Sequence, residues 1–182
     1  LLPHLLLSAQ HGDDVILKRM KRRHLARDIL RFCDEARRCR SDVVFGADMI
    51  AGFPTESEQA HQACLDMIEA AGITYLHVFP YSSRPGTPAA VMPQLQPEII
   101  KTRARALRQF GAQRLEKFLD ASVGSTDQLL VEMGNRGHGR NFTKIRLEGA
   151  ACPSGRLVDV DIVGREGDSL IGQAHTSGAQ GV

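Results

Sequence analysis

Three short stretches of this sequence combine polar side chains with glycine or proline in a way that suits ligand binding. They are SAQHGDD (8–14), IAGFPTE (50–56) and FPYSSRPGT (79–87). Gln10 can hydrogen-bond a ribose or an amide. Asp48 stands two residues before Ile50 in an apolar run, so the two share one face of a strand. An acid buried there without a partner would be costly. Gly52 permits a ligand to approach the backbone closely, and Pro54 fixes the turn. Pro80 ends a strand and leaves nearby backbone groups free to pair with a ligand. Arg84 offers a planar cation to a carboxylate or phosphate. Each feature also has a plain folding role: a Gly-Phe-Pro turn before a capped helix is ordinary, and Gln10 can satisfy its own loop. Three such turns at equivalent strand ends favour a shared site, because ligands of parallel α/β proteins gather at the C-terminal ends of the strands.

A second group lies further along the chain. Arg136, His138, Arg140, Lys144 and Arg146 cluster around one strand and its turn, with Phe142 available for stacking on a base. A solvated hairpin would have the same composition. Residues 18–40 are also strongly basic, as a phosphate-binding face or a solvated helix surface would be. The four cysteines, Cys33, Cys39, Cys64 and Cys152, form no close pair or triplet of the kind that holds zinc or an iron–sulfur cluster. Cys33 and Cys64 fall on apolar faces of predicted helices and read as small core residues.

The elements that would position these groups follow from periodicity. Residues 4–9 read as a buried strand, with Asp13 or Asp14 capping a short helix through Met20. Leu25, Ile29, Phe32, Cys33 and Ala36 recur at helical spacing. The run VVFGADMIAGF (43–53) is the pattern of a parallel strand covered on both faces. Thr55 or Ser57 can cap the next helix, and Glu56 and Glu58 suit its positive end. Residues 73–81 read as a third strand, and 97–119 as a long amphipathic helix. This β-α-β-α-β-α order predicts a parallel sheet with helical crossovers. Beyond Leu119 short alternating strands separated by glycine-rich turns predict a small antiparallel β-barrel.

We therefore expect an α/β domain over residues 1–120, a β-barrel over 121–176 and a flexible tail over 177–182. Three parallel strands are too few to close an eight-stranded barrel, so the sheet should be open. The chain has 182 residues, a hydrophobic content of 42% and a net charge of +2. That composition suits a globular protein and gives no bulk-charge signal for nucleic acid. No apolar run approaches the ~20 residues of a membrane span, and no signal peptide is visible, so the chain reads as cytoplasmic with no membrane partner. It begins without methionine and enters a strand almost at once, which reads as the continuation of something longer.

KRMKRRH (18–24), DMIAGFPTE (48–56) and HVFPYSSRPGTPAA (77–90), in this order and spacing, resemble the radical S-adenosylmethionine methylthiotransferases that modify tRNA. The resemblance continues through VGSTDQLLVEMGNRGHGRNFTKIRL (123–147) and GRLVDVDIVG (155–164), which are similar to the TRAM domain, an OB-like barrel. Thr55, where many relatives have glycine, and the pair Arg22-Arg23 resemble the branch acting on threonylcarbamoyladenosine.

The family likeness implies S-adenosylmethionine and [4Fe–4S] clusters as cofactors and tRNA as substrate. It implies that Ile50 contacts the adenine of the cofactor and that Asp48 and Gly52 shape the pocket. Gln10 would approach the ribose, and the backbone from Pro80 to Ser82 the adenine edge. Where relatives read Leu-Gln-Ser-Gly, this chain has Ala9-Gln10-His11-Gly12, and His11 is bulkier than serine. Arg84 and the basic residues Arg136, Arg140, Lys144 and Arg146 would face RNA. Nothing in the chain matches the family's Cys-x-x-x-Cys-x-x-Cys ligands. The expectation is thus a C-terminal half, inactive alone, completed by an N-terminal half in cis or in trans. A non-catalytic RNA-binding protein and one half of a split enzyme are the alternatives.

Overall fold

A computed structural model describes residues 2–175; the tail expected over 177–182 lies outside the described residues. The chain divides into two compact units. One is Leu5–Arg114, and the other runs from Leu115 onward together with the first four residues.

The first unit is built on a three-stranded sheet in the order β1-β2-β3, with β1 at His4–Gln10, β2 at Val44–Ala51 and β3 at Ile73–Pro80. Strands β2 and β3 run parallel, which sets Asp48 opposite His77, Ile50 opposite Phe79 and Ala51 opposite Pro80. The connections are helical: α1 (Asp14–Arg19), α2 (Ala26–Cys39) and α3 (Glu58–Ala70). Their starts are fixed by local chemistry. Asp13 caps α1 by accepting the N–H of Ile16 at 2.9 Å, and Ser57 caps α3 by accepting that of Ala60 at 3.1 Å. Helix α2 begins at an apolar residue, and two acids replace the missing cap: Asp28 accepts from Leu25 N and Asp14 from Ala26 N.

The core of this unit joins Phe45, Ala47 and Met49 of β2 to Cys33 of α2, Cys64, Met67 and Ile68 of α3, and Ala104 and Leu107 of α4 (Pro97–Ser122). Cys33 and Cys64 occupy the core as expected. Phe32 does not: it sits at the margin of the apolar stripe of α2 and is exposed.

The second unit is a closed five-stranded barrel in the order β4-β5-β6-β8-β7. Its strands are β4 (Thr126–Met133), β5 (Arg136–His138), β6 (Lys144–Glu148), β7 (Leu157–Glu166) and β8 (Ser169–Ala174). The expectation of a purely antiparallel barrel is corrected here, because β6 and β8 pair in parallel. An odd number of strands cannot alternate direction all the way round a closed ring, so one neighbouring pair must be parallel. The short strand β5, flanked by glycines, has no alternating pattern to announce it.

Leu129, Val131, Ile145, Leu147, Val160, Ile162 and Leu170 fill the barrel, together with Leu119 and the partly buried Leu115 and Phe118 of the last turns of α4. Helix α4 therefore runs past the expected end at Leu119. Arg165 holds those turns by pairing with Glu116 and Asp120.

Candidate functional site

The turn after β2 is organised by Glu56. Its side chain is buried, and its Oε2 accepts the backbone N–H groups of Gly52 at 2.7 Å and Phe53 at 3.0 Å. Three further groups converge on the carboxylate: His11 Nε2 at 3.5 Å, His61 Nδ1 at 3.4 Å and Arg103 Nη1 at 3.3 Å. His11 Nδ1 accepts the N–H of Asp13 at 3.0 Å, which leaves the ring proton on Nε2, facing Glu56. Burial alone would raise the pKa of Glu56. The imidazoles of His11 and His61 and the charge of Arg103 outweigh it and hold the carboxyl at about 2. Arg103 also donates to the carbonyl of Glu56 at 2.8 Å and pairs with Glu58. Helix α4 is thereby tied to the strand-end turn.

Two glycines make this packing possible. A Cβ on Gly52 would meet Ile100 of α4 at 2.8–2.9 Å, and one on Gly12 would meet the Ala63 carbonyl of α3 at 2.2 Å. Gly52 also has φ +77°. At Gly52 the close approach is that of α4, and the N–H is taken by Glu56.

Asp48 lies half-buried and pairs with His77 of β3 at 3.2 Å. Pro80 does not leave the whole strand end free, because Tyr81 donates its N–H to Ala51 O at 2.8 Å. Ser82 and Arg84 lie exposed in the following loop. Gln10 is buried with φ +69°. His11, the bulky departure from the family pattern, is wholly buried and directed at Glu56.

Ile50 faces an apolar cluster with Ile16, Phe53, Tyr81 and Ala89, in which the rings of Phe53 and Tyr81 meet edge to face at 5.3 Å. An open groove of about 230 Å³ lies over this cluster. Its floor is Ile50, Phe53, Pro88 and Ala89, and its rim is Arg19, Lys21 and Arg22. Arg19 donates to the hydroxyl of Thr55, a residue at φ +68°. That backbone favours glycine. Sequence reading gathered Asp48, Ile50 and Gly52 at one strand end but missed the Glu56 network, whose partners lie up to 47 residues away.

On the barrel, the basic cluster is more neutral than its sequence suggests. Arg140 pairs with Asp127, Lys144 with Asp168, Arg146 with Glu166 and His138 with Glu132. Lys144 holds the Asp168 carboxyl below its usual range. Among the described residues Arg136 has no acid within ion-pair distance. Arg136, His138, Lys144, Arg146 and their acids line an open groove of about 550 Å³. Phe142 stands exposed nearby, its ring 6.4 Å from that of His138.

No protein-family model matches the chain. It is 45% identical over 166 residues to a threonylcarbamoyladenosine tRNA methylthiotransferase, MtaB, of Rickettsia prowazekii, an alignment covering 91% of this chain and 39% of that protein. It is 35% identical to a tRNA-2-methylthio-N(6)-dimethylallyladenosine synthase of Ruegeria pomeroyi and 36% identical to one of Magnetococcus marinus, covering 95% of this chain and 41% of each. This chain is homologous to the C-terminal part of tRNA methylthiotransferases.

The chain spans about two-fifths of the length of these methylthiotransferases. The iron–sulfur clusters implied by the family likeness do not fit the cysteines it carries. Cys33 and Cys64 are buried in the core of the α/β unit, Cys39 is exposed at the end of α2, and Cys152 lies in a barrel loop. Cys64 Sγ accepts the N–H of Gly12, and burial pushes its thiol up to about 12, which disfavours a thiolate ligand. Among the described residues no group of three potential ligands converges, and no helix is long and apolar enough to cross a membrane.

Proposed function

We propose that this chain forms the C-terminal part of a tRNA methylthiotransferase that adds a methylthio group to threonylcarbamoyladenosine beside the anticodon. On this reading the open three-stranded sheet is the second half of a radical S-adenosylmethionine β/α barrel, and the five-stranded barrel is a TRAM domain that holds tRNA. S-adenosylmethionine and iron–sulfur clusters would supply the radical chemistry in the full-length enzyme, with the cluster ligands outside this chain. Ile50 packs on the cofactor's adenine, Gln10 borders the ribose, and the backbone from Pro80 to Ser82 lines the adenine edge. Asp48 and Gly52 act indirectly, through His77 and through Glu56 and α4, by fixing the strand end that carries Ile50.

The observation that carries this reading is the strand-end turn Asp48–Glu56, with Ile50 half-buried at the open end of β2. The choice of threonylcarbamoyladenosine rests on the higher identity to the Rickettsia enzyme, 45% against 35–36% for the dimethylallyl enzymes named above.

The test is to inactivate the gene in its own organism and quantify methylthiolated nucleosides in tRNA digests by mass spectrometry. We expect methylthio-threonylcarbamoyladenosine to vanish and to return with the intact gene but not with Ile50→Asp. Loss of the dimethylallyl product instead would reassign the substrate. An unchanged profile of both would remove the proposed activity.

A further inference from the structure

The two faces of the three-stranded sheet carry different chemistry. Phe45, Ala47 and Met49 of β2 and Leu76 and Val78 of β3 belong to the core shared with the helices. Alternation puts Asp48 and Ile50 of β2 and His77 and Phe79 of β3 on the other face. There the register sets Asp48 beside His77 and, one step along, Ile50 beside Phe79. The His77 side chain is 55% exposed and Phe79 is 53% exposed, although both lie within the strand. A placed polar group beside an aromatic wall is the lining that small-ligand sites use.

The pair orients one nitrogen. Asp48 Oδ1 lies 3.2 Å from His77 Nδ1. An ionised carboxylate only accepts, so Nδ1 carries the ring proton and Nε2 of the neutral imidazole holds a lone pair. The same contact limits rotation of the ring. Among the described residues Asp48 is the one hydrogen-bond partner of that ring. Nε2 is thus an acceptor fixed in tautomer and direction, with no donor from the chain itself. An ion pair with its imidazole more than half exposed adds little to stability, so folding does not account for the arrangement.

We propose that His77 Nε2 accepts a hydrogen bond from the N6 substituent of the adenosine to be modified, with Asp48 as the residue that positions the imidazole and Phe79 as the apolar wall beside it. The proposal rests on the function proposed above and leaves the cofactor's adenine where that reading puts it, at Ile50 and the backbone from Pro80 to Ser82. The reacting base must lie against the cofactor. The Asp48–His77 pair stands two residues from that level, about 7 Å at the rise of a strand, which is within reach of a substituent on the base. Beyond N6 a threonylcarbamoyl group carries an N–H and a hydroxyl, both donors, whereas a dimethylallyl group carries only C–H. The carboxylate of the first points away from the pair, because Asp48 has the same sign. A hydrocarbon leaves the oriented acceptor unpaired, and a site built around a hydrogen bond rejects the analogue that lacks it. Asp48 and His77 therefore favour the threonylcarbamoyl substituent over the dimethylallyl one.

The test is NMR of the full chain with its histidine rings labelled with nitrogen-15, titrated at one pH with three nucleosides: threonylcarbamoyladenosine, dimethylallyladenosine and adenosine. The His77 signals are identified by their loss in His77→Phe. We expect the unaltered chain to hold His77 in the Nδ1–H tautomer and the Nε2 signal to move with the threonylcarbamoyl nucleoside alone. That nucleoside should bind about fivefold more tightly than the dimethylallyl one, the effect of one neutral hydrogen bond. Asp48→Asn should mix the tautomers and reduce the preference while His77 is still present, a response that a purely structural aspartate would not give. His77→Phe should bind all three nucleosides alike with little change in Tm. An Nε2 signal that moves equally with all three nucleosides, or with none, overturns the proposal, and so does a preference that survives in His77→Phe. The outcome is separable from the tRNA digest. A digest that changes as expected beside an unresponsive His77 overturns this proposal and leaves the function standing. An unchanged digest beside a selectively responsive His77 removes the transfer activity and keeps the recognition.

Discussion

Glu56 Oε2 accepts the backbone N–H of Gly52 at 2.7 Å, and this bond holds the turn that follows the central strand. The carboxyl sits at about 2, below its ordinary value of 4.5. A carboxyl lowered in the folded state stabilises the fold fully above its unfolded pKa and loses that contribution as pH falls through the folded one. The contribution should therefore be complete above pH 4.5 and fade toward pH 2, and it amounts to about 3 kcal/mol at 1.36 kcal/mol per unit. Urea denaturation across this range should show the loss in the unaltered chain and a much flatter profile in Glu56→Gln. Glu56→Ala, which leaves two buried N–H groups unpaired and removes one of the two acids beside Arg103, should cost about 3–5 kcal/mol at neutral pH. A Glu56→Gln profile as steep as the original would mean that another carboxyl is responsible.

Gly52→Ala should destabilise by about 2–5 kcal/mol. The added Cβ meets both the side chain and the Cα of Ile100 within 2.9 Å, and overpacking of this kind costs ~1–3 kcal/mol, with ~1–2 kcal/mol more for the left-handed backbone. Ile100→Ala in the same chain should recover part of the first cost and none of the second. Full recovery in the double-mutant cycle would show that the backbone of Gly52 is unstrained.

How much of this was legible in the sequence depended on how far apart the partners lie. The caps Asp13 and Ser57 act on residues three positions away, and both could be read from residue type and spacing. The sheet order followed from alternating strand and helix patterns. Asp48 was noticed as an acid needing a partner, but His77 lies 29 residues away and meets it only through the register of β2 and β3. Glu56 looked like a helix-start acid because its turn chemistry is local. Its other partners, His11 and Arg103, come from separate elements with no periodic signature. The barrel cations were counted without Glu166 and Asp168, which the β7–β8 hairpin brings alongside them.

The barrel should fold alone only if it keeps the end of α4. Leu119 is buried in its core, and Arg165 pairs with Glu116 and Asp120. A fragment beginning at residue 113 should unfold cooperatively on heating, and one beginning at residue 123 should be at least ~2–5 kcal/mol less stable, the usual cost of removing a buried leucine. Equal melting temperatures for the two would show that the helix is dispensable.

The last prediction concerns which barrel cations meet RNA. Counter-ion release makes phosphate contacts salt-sensitive, with a slope that grows with the number of contacts. Among the described residues Arg136 has no acid beside it, whereas Lys144 and Arg146 are held by Asp168 and Glu166. A paired cation must exchange one anion for another when phosphate binds, so its net gain is small. Arg136→Ala should therefore weaken binding of unmodified tRNA more than either Lys144→Ala or Arg146→Ala, and should lower the salt slope by about one. The same logic gives an opposite sign for the acids. Asp168→Asn combined with Glu166→Gln frees two cations and should strengthen binding and steepen the slope. These exposed pairs contribute little to stability, ~0–1 kcal/mol each, so folding should be nearly unaffected and the affinities directly comparable. If the acid variants leave affinity unchanged while Arg136→Ala still weakens it, RNA crosses the groove near Arg136 alone. If neither set changes affinity, RNA uses another face of the barrel.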